Sequence, residues 1–274
     1  MRISVITACY NASETIGIAM ESVARQSWTE VEHIIVDGGS TDETVDIICG
    51  FAKERRAQSI KWISEPDEDM YDAINKGIRM ATGDIIGILN ADDFLLGDDT
   101  LDRIAQEFLR ASSDEKKVDA AYADIRFVKD ADTLDGLRKA QVLRYYSARR
   151  WQPWMLQWGY MPPHPGVYIR RDAFVRFGLY KVGYHIAADY ELLIRFLRKG
   201  GLTMRHLDFC AVGMRMGGKS TKNWGSTFLL NREIVRGNRE NGYFCCMLML
   251  TPKYLFKIWE FILPCMKRIF SSDK

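Results

Sequence analysis

Four short apolar runs alternate with segments of helical periodicity along the first 115 residues: ISVITACY (3–10), HIIVDGG (33–39), IKWISEP (60–66) and DIIGILN (84–90). Between them, residues 14–26 place Ile16, Met20 and Val23 on one face. Residues 40–54 open on Ser40-Thr41-Asp42-Glu43, the spacing of a capping box, and residues 69–82 run to a stop near Gly83. Strands that are apolar almost throughout need cover on both faces, and intervening helices supply it. The pattern therefore predicts an α/β fold with a largely parallel sheet. Ligands of such sheets bind beyond the carboxyl ends of the strands. Here those ends read Ala8-Cys9-Tyr10-Asn11, Asp37-Gly38-Gly39-Ser40, Glu65-Pro66-Asp67 and Asn90-Ala91-Asp92-Asp93.

Carboxylates beside a core are costly without compensation, so the acidic ends call for an occupant. Hard oxygens at Asp92, with Asp93 in support, suit Mg²⁺ or Mn²⁺, ions that commonly take one or two carboxylates together with substrate phosphates. The competing reading makes this pair a cap for the next element. Asp98 and Asp99, just before a helix expected from about Leu101, suit that task better.

The 274 residues, 47% hydrophobic, suffice for one large domain or two fused halves. We divide them into 1–115, 116–225 and a helical tail, 226–274. Net charge is +2, from 38 basic and 36 acidic residues, so no overall field points to nucleic acid, and none is expected as a partner. Six scattered cysteines, Cys9, Cys49, Cys210, Cys245, Cys246 and Cys265, form no CxxC pair, which suggests neither a zinc site nor a disulfide framework. The amino terminus reads as a short β-type run, not a signal peptide, and no apolar stretch reaches the roughly 18–20 residues of a membrane span. A cytoplasmic location with reduced cysteines is expected.

The middle third is less regular. Residues 136–150 are basic, and Trp151, Trp154, Trp158 and Tyr160 follow among prolines. A strand is expected at 166–170, a helix opening at Asp172, and a helix within 185–200 that ends at Gly200-Gly201. In the tail, Leu255, Ile258, Ile262, Met266 and Ile269 recur at helical spacing, with basic residues largely elsewhere. Either this segment packs on the domain, or residues 243–270 lie on an anionic membrane. Arg232, Arg236, Arg239, Lys257, Lys267 and Arg268 suit the second arrangement.

Taken in order, ISVITACYNASETI, IIVDGGSTDET (34–44), SEPDEDMYDAINKGIRMATGDIIGILNADD (64–93), PHPGVYIRRDAF and AADYELLIRF resemble the family 2 glycosyltransferases. These are inverting enzymes of the GT-A fold that use nucleotide-sugar donors. The resemblance covers about residues 1–215 and is nearest to bacterial enzymes of exopolysaccharide, capsule or lipopolysaccharide synthesis. It implies a Rossmann-like, mostly parallel sheet flanked by helices. It implies transfer from a nucleotide-diphosphate-sugar to a glycan or lipid-linked glycan, with Mn²⁺ or Mg²⁺. Contact with the inner face of a membrane is a further expectation.

The resemblance also implies roles. Thr7, Ala8, Tyr10 and Asn11 would line a nucleoside pocket, and Asp37 would accept a hydrogen bond from the base. Asn11 also suits a helix cap. Gly38 and Gly39 would let backbone approach the ligand, and Asp67 would reach the diphosphate region. Asn75 and Gly77 match an Asn-x-Gly element of the family. Lys76 either pairs with phosphate or is solvated, and Asp42 fits a first helical turn better than a ligand contact. Asn90 and Ala91 stand at the start of the family's Asp-x-Asp motif, where Asn90 replaces an acid and leaves compensation of the metal to Asp92. Asp69 stands where close relatives carry Gly.

Asp189 matches the catalytic base, with Ala188 in place of the family's Glu; Asp189 as a helix cap is the alternative, and Glu191 the reserve base. His164, between prolines, is either structural or a donor-site residue. Trp154, Trp158 and Tyr160 either stack on sugars or pack, and Lys219 would close over diphosphate.

A nucleotidyltransferase and a non-catalytic scaffold compete with this reading, and a dehydrogenase is disfavoured. A nucleotidyltransferase would want a glycine-rich basic loop after the first strand, where this chain has Ala-Cys-Tyr-Asn. A dehydrogenase would want GxGxxG there. A non-catalytic nucleotide-sugar scaffold would tolerate loss of Asp92 or Asp189.

Overall fold

The computed structural model describes residues 1–54, 59–113, 118–215 and 224–253. Lys219 and residues 254–274 of the tail lie outside them.

The apolar runs become strands β1 (Ile3–Cys9), β2 (Val31–Asp37), β3 (Ser59–Ser64) and β4 (Ile85–Ile88), parallel and in the order β3-β2-β1-β4. Helices α1 (Ile16–Ala24), α2 (Thr44–Glu54) and α3 (Met70–Met80) connect them. Ile3, Ile6, Ile34, Ile35, Val36 and Ile85 are wholly buried. Close helix–sheet packing accounts for Gly77 on α3: a β-carbon there would stand 2.4 Å from Ile6 Cγ2.

Beyond β4 the sheet becomes mixed. Short β5 (Asp93–Leu95) precedes α4 (Thr100–Ser113) and β6 (Ala120–Val128). After α5 (Leu134–Lys139) come β7 (Val142–Tyr146), β8 (Val167–Arg170), α6 (Arg171–Phe177), α7 (Ala188–Leu193), β9 (Met204–Arg215) and α8 (Trp224–Glu240). β8 runs antiparallel between β4 and β6, β9 pairs parallel with β6 and antiparallel with β5, and β7 flanks β6. One sheet thus crosses residue 115. α8 docks on α7 through the buried side chains of Glu233, Ile234 and Asn238, with Asn241 just past its end bonded to Glu191, so it belongs to the body of the molecule.

The helices differ from expectation in three places. Ser40 does not cap α2; its hydroxyl donates to Asp37 and accepts Asn11 N–H. α2 begins instead at Thr44, whose N–H donates to Asp42 Oδ1 at 3.0 Å. Ahead of α4, Leu101 N–H donates to Gln26 Oε1 at 2.9 Å, while Asp98 pairs with Arg138 and Arg25, so neither Asp98 nor Asp99 closes the helix with its side chain. α7 is short and continues as a π-helical stretch, Ile194–Lys199. Asp69, by contrast, is the N-cap of α3, accepting N–H from Tyr71 at 2.8 Å and Asp72 at 2.9 Å.

Candidate active site

Parallel strands of similar length end on one edge. Cys9 pairs with Asp37 and Asp37 with Ser64, so Tyr10, Gly38 and Glu65 begin the loops of a common rim, with Asn90 following β4. Tyr10 is 60% exposed there. Asn11 adopts a left-handed backbone (φ 48°), held by Ser40 on its N–H and by Thr41 N–H on its Oδ1 at 2.9 Å. It bridges the loops after β1 and β2; it does not cap a helix.

Asp37 is buried and already satisfied. It accepts N–H from Gly39 and Ser40 at 3.1 and 2.9 Å, and hydroxyls from Ser40 and Ser64. Burial would raise its pKa, but these donors outweigh it and hold the carboxyl below its usual range. Its evident work is to shape the turn that carries Gly38. That turn passes close to Asp67: a β-carbon on Gly38 would lie 3.0 Å from Asp67 Oδ2. Lys76 is not a free cation. Its ammonium sits among Asp67, Glu65 at 3.0 Å and Asp72 at 3.6 Å.

Two expected pocket residues are withdrawn from the rim. Thr7 is wholly buried, with its hydroxyl 3.0 Å from His33 Nε2. Asn75 is buried, with both amide atoms on the backbone of Tyr180: Nδ2 donates to its carbonyl at 2.8 Å and Oδ1 accepts its N–H at 2.9 Å. Ala8 is half-buried and Ala91 buried.

The two carboxylates after β4 have opposite fates. Asp92 points to solvent, with no hydrogen-bond donor among the described residues. Asp93 is buried; its Oδ2 accepts the Asn90 amide at 2.7 Å and its Oδ1 has no partner among the described residues. Burial, then the charge of Asp92, drives the Asp93 pKa well above the usual carboxylate range. Asp93 is thus turned into the protein and engaged by Asn90, which leaves Asp92 as the carboxylate open to a cation. The described residues hold no group of three or more metal-ligating side chains. One open carboxylate next to a diphosphate is nevertheless the donor set that Mg²⁺ and Mn²⁺ accept, and Asp92 fits it.

The antiparallel insertion of β8 brings the second half to the same rim, because the segment entering β8 lies beside the carboxyl end of β4. His164 stands in that segment, with Nε2 2.8 Å from the Tyr180 hydroxyl. Tyr180 stacks on Tyr71 at 5.7 Å between centroids, and Tyr71 donates its hydroxyl to Ile186 O at 2.6 Å. Asp189, three residues on, belongs to this group. Its Oδ1 accepts Tyr190 N–H at 2.8 Å, and part of its surface stays open. Among the described residues Asp189 makes no other hydrogen bond of the kind a helix cap needs, and the N-cap position is Ala187. Burial raises the Asp189 pKa against the opposing influence of His164, while burial lowers that of His164.

Glu191 is excluded as a reserve base. It is wholly buried and bound by Arg195 at 2.9 Å, Lys181 at 3.0 Å and Asn241 at 3.0 Å. Burial would raise its pKa, but these partners leave it lowered. Trp154 and Trp158 are exposed on the 3₁₀ turn Pro153–Trp158; Trp151 packs in the core. Tyr71 and Tyr180, which enclose Asp189, were not singled out from sequence: an aromatic residue on an amphipathic helix or in a loop reads as ordinary packing.

A parallel sheet in the order 3-2-1-4, an antiparallel insertion and acidic loops on one rim define the GT-A class of glycosyltransferase folds. The sequence pattern of glycosyl transferase family 2 matches residues 4–176, and the chain belongs to that family. It is similar to a PGL/p-HBAD biosynthesis glycosyltransferase of Mycobacterium bovis (strain BCG / Pasteur 1173P2), with 29% identity over 204 residues, 74% of this chain and 73% of the relative.

Among solved structures, S. aureus TarS 1-349 in complex with UDP-GlcNAc superposes with a TM-score of 0.61 at 17% identity, over 86% of this chain and 66% of that one. The mannosyltransferase PcManGT from Pyrobaculum calidifontis, in complex with GDP-Man and Mn²⁺, gives 0.63 at 19% identity, over 87% and 63%. The chain spans 39% of the longer TarS structure. These structural likenesses concern the fold.

Proposed function

We propose that the protein transfers a sugar, with inversion, from a nucleotide-diphosphate-sugar to a glycan hydroxyl, using Asp92 at the diphosphate and Asp189 as base. The observation that carries this reading is the pairing of two unlike carboxylates on one rim: Asp92 open and unpartnered among the described residues, Asp189 enclosed with a raised pKa. A Mn²⁺ or Mg²⁺ ion held by Asp92 would offset the charge of the leaving diphosphate. The Mn²⁺ and GDP-Man of PcManGT and the UDP-GlcNAc of TarS support donors of this class.

The acceptor hydroxyl gives its proton to Asp189 as its oxygen forms a bond to the anomeric carbon. The bond from that carbon to the diphosphate breaks, and the diphosphate leaves with the electron pair. Tyr10 is available to stack on the base, while Asp37, Gly38 and Asp67 shape the floor beneath it. His164, whose pKa burial lowers, lies beside Asp189.

A lipid-linked acceptor of surface-polysaccharide synthesis is the favoured partner. Arg232, Arg236 and Arg239 lie exposed on α8, and Phe244, Met247 and Leu248 are exposed just after it. This mixture suits an anionic membrane surface. No helix of the described residues is long and apolar enough to cross a membrane.

The test is nucleotide-diphosphate release from UDP- and GDP-sugars with Mn²⁺. Wild type should turn over one of them, and Asp189→Asn should lose roughly 10²–10⁴-fold while still binding it. Turnover in Asp189→Asn equal to wild type would contradict the assignment of the base.

A further inference from the structure

α7 begins without a cap of its own. Ala187, its N-cap residue, has no side chain that can accept a hydrogen bond, and the amides of residues 185–187, ahead of the helical ladder, need acceptors from outside it. A single carboxylate from α8 supplies them. Glu233 Oε1 accepts His185 N–H at 2.7 Å, and Oε2 accepts Ile186 N–H and Ala187 N–H, each at 2.9 Å.

Glu233 is 5% exposed, and these three amides hydrogen-bond its buried carboxylate, with the charge of Arg236 nearby. The helices approach closely at Gly237, where a β-carbon would stand 3.4 Å from Glu191 Cβ. On the opposite side the same three-residue stretch is held by Tyr71, through its hydroxyl on Ile186 O at 2.6 Å. Asp189 follows two residues after Ala187. Its backbone is thus clamped between α3 and α8, and the α8 jaw is Glu233.

We propose that Glu233 is a positioning residue for transfer: by fixing the amides of 185–187 it sets where the Asp189 carboxylate meets the acceptor hydroxyl. This rests on the reading of Asp189 as the base. Glu233 touches none of the donor-side residues, Tyr10, Gly38, Asp67 or Asp92, so its loss should change turnover and leave donor binding unchanged.

Slow hydrolysis of the donor sugar to water, with UDP-GlcNAc or GDP-mannose and Mn²⁺, serves as the assay in wild type, Glu233→Gln, Glu233→Asp and Asp189→Asn. Glu233→Gln keeps the volume but turns an N–H₂ toward an N–H. It is expected to lower kcat about 10–100-fold with donor KM within about twofold, the cost of a small misplacement of a reacting group. A pH profile separates this from a general loss of packing. The groups facing Asp189 are His164, Tyr71 and Tyr180, with Glu233 from α8, and the charge of Glu233 raises the Asp189 pKa. Glu233→Gln should therefore move the acid limb of kcat to lower pH. Glu233→Asp, which keeps charge and acceptors, should recover part of kcat and retain the wild-type limb.

Amide exchange at 185–187 reads the clamp without activity: slow in wild type, faster in Glu233→Gln. Equal exchange rates, a kcat within about twofold of wild type, or a kcat loss matched by loss of donor binding would each overturn the inference. Asp189→Asn isolates the premise. If it is inactive while Glu233→Gln keeps full kcat, the positioning role alone fails; if it turns over like wild type, the base assignment fails with it.

Discussion

In the proposed mechanism Asp92 and Asp189 take different roles because their surroundings differ. Asp92 is exposed and free of donors among the described residues, so it is ready to meet a cation. Asp189 is enclosed by Tyr71, Tyr180 and His164, and burial raises its pKa above the ordinary value near 3.8. The sign of the pH dependence follows. A base works deprotonated, so turnover should fall as pH drops through this raised pKa, and the acid limb of kcat should lie above the range of an exposed aspartate. A limb at or below an ordinary aspartate value, measured on the hydrolysis of the donor, would contradict the enclosed base. Asp93, buried and held by Asn90, predicts a different outcome: Asp93→Asn should leave metal dependence in place, because this carboxyl faces the protein. Titrating turnover with Mn²⁺ in that variant checks it; a lost or strongly weakened metal response would return Asp93 to the site.

At the scale of elements, α3 joins donor and acceptor sides. Asp69 caps it, Tyr71 and Asn75 hold the loops that carry Asp189 and Tyr180, and Gly77 seats it on β1. Asp69→Ala should lower stability by about 1 kcal/mol, the usual worth of an N-cap, measured by denaturant unfolding. Asp69→Gly should cost only a few tenths. Equal loss in both would mean that the cap contributes little.

Strands β1, β2 and β4 were legible in the sequence because burial on both faces makes them apolar throughout, and their acidic ends marked the rim. The direction of each side chain was not legible. Thr7, Asn75 and Glu191 have the residue types of ligands and bases, yet each is spent on a protein partner that comes from another part of the chain. The same limit hid Glu233, which meets the base loop only once α8 has packed. Ser40-Thr41-Asp42-Glu43 misled for a local reason: the loop needed Ser40 for Asp37 and Asn11, and the helix start moved to Thr44.

At the scale of the molecule, the parallel strands are tied together from within by a buried acid far from the site. Glu32 on β2 accepts hydrogen bonds from Ser4 at 2.6 Å, Lys61 and the Thr82 hydroxyl, both at 2.9 Å, and Gly83 N–H at 2.9 Å. Burial alone would raise its pKa; these donors outweigh it and bring it down to about 2. A lowered folded pKa means the contribution is complete above the unfolded value near 4.5 and is lost as pH falls toward 2. Glu32→Gln should cost roughly 2–3 kcal/mol at neutral pH and flatten the loss of stability on acidification. Urea unfolding at several pH values reads both, and an unchanged acid dependence would contradict this account of the sheet.

The central claim is that a cation held by Asp92 joins the protein to a nucleotide diphosphate. The most direct measurement is thermal stabilisation by UDP, GDP, dTDP and CMP, each with Mn²⁺ and with EDTA, in wild type and Asp92→Asn. At a hundred times its dissociation constant a ligand adds about 2.7 kcal/mol, a readily visible shift. The account predicts stabilisation by one nucleotide diphosphate that needs Mn²⁺ and disappears in Asp92→Asn. Stabilisation that survives both EDTA and the substitution, or none with any nucleotide, would contradict it.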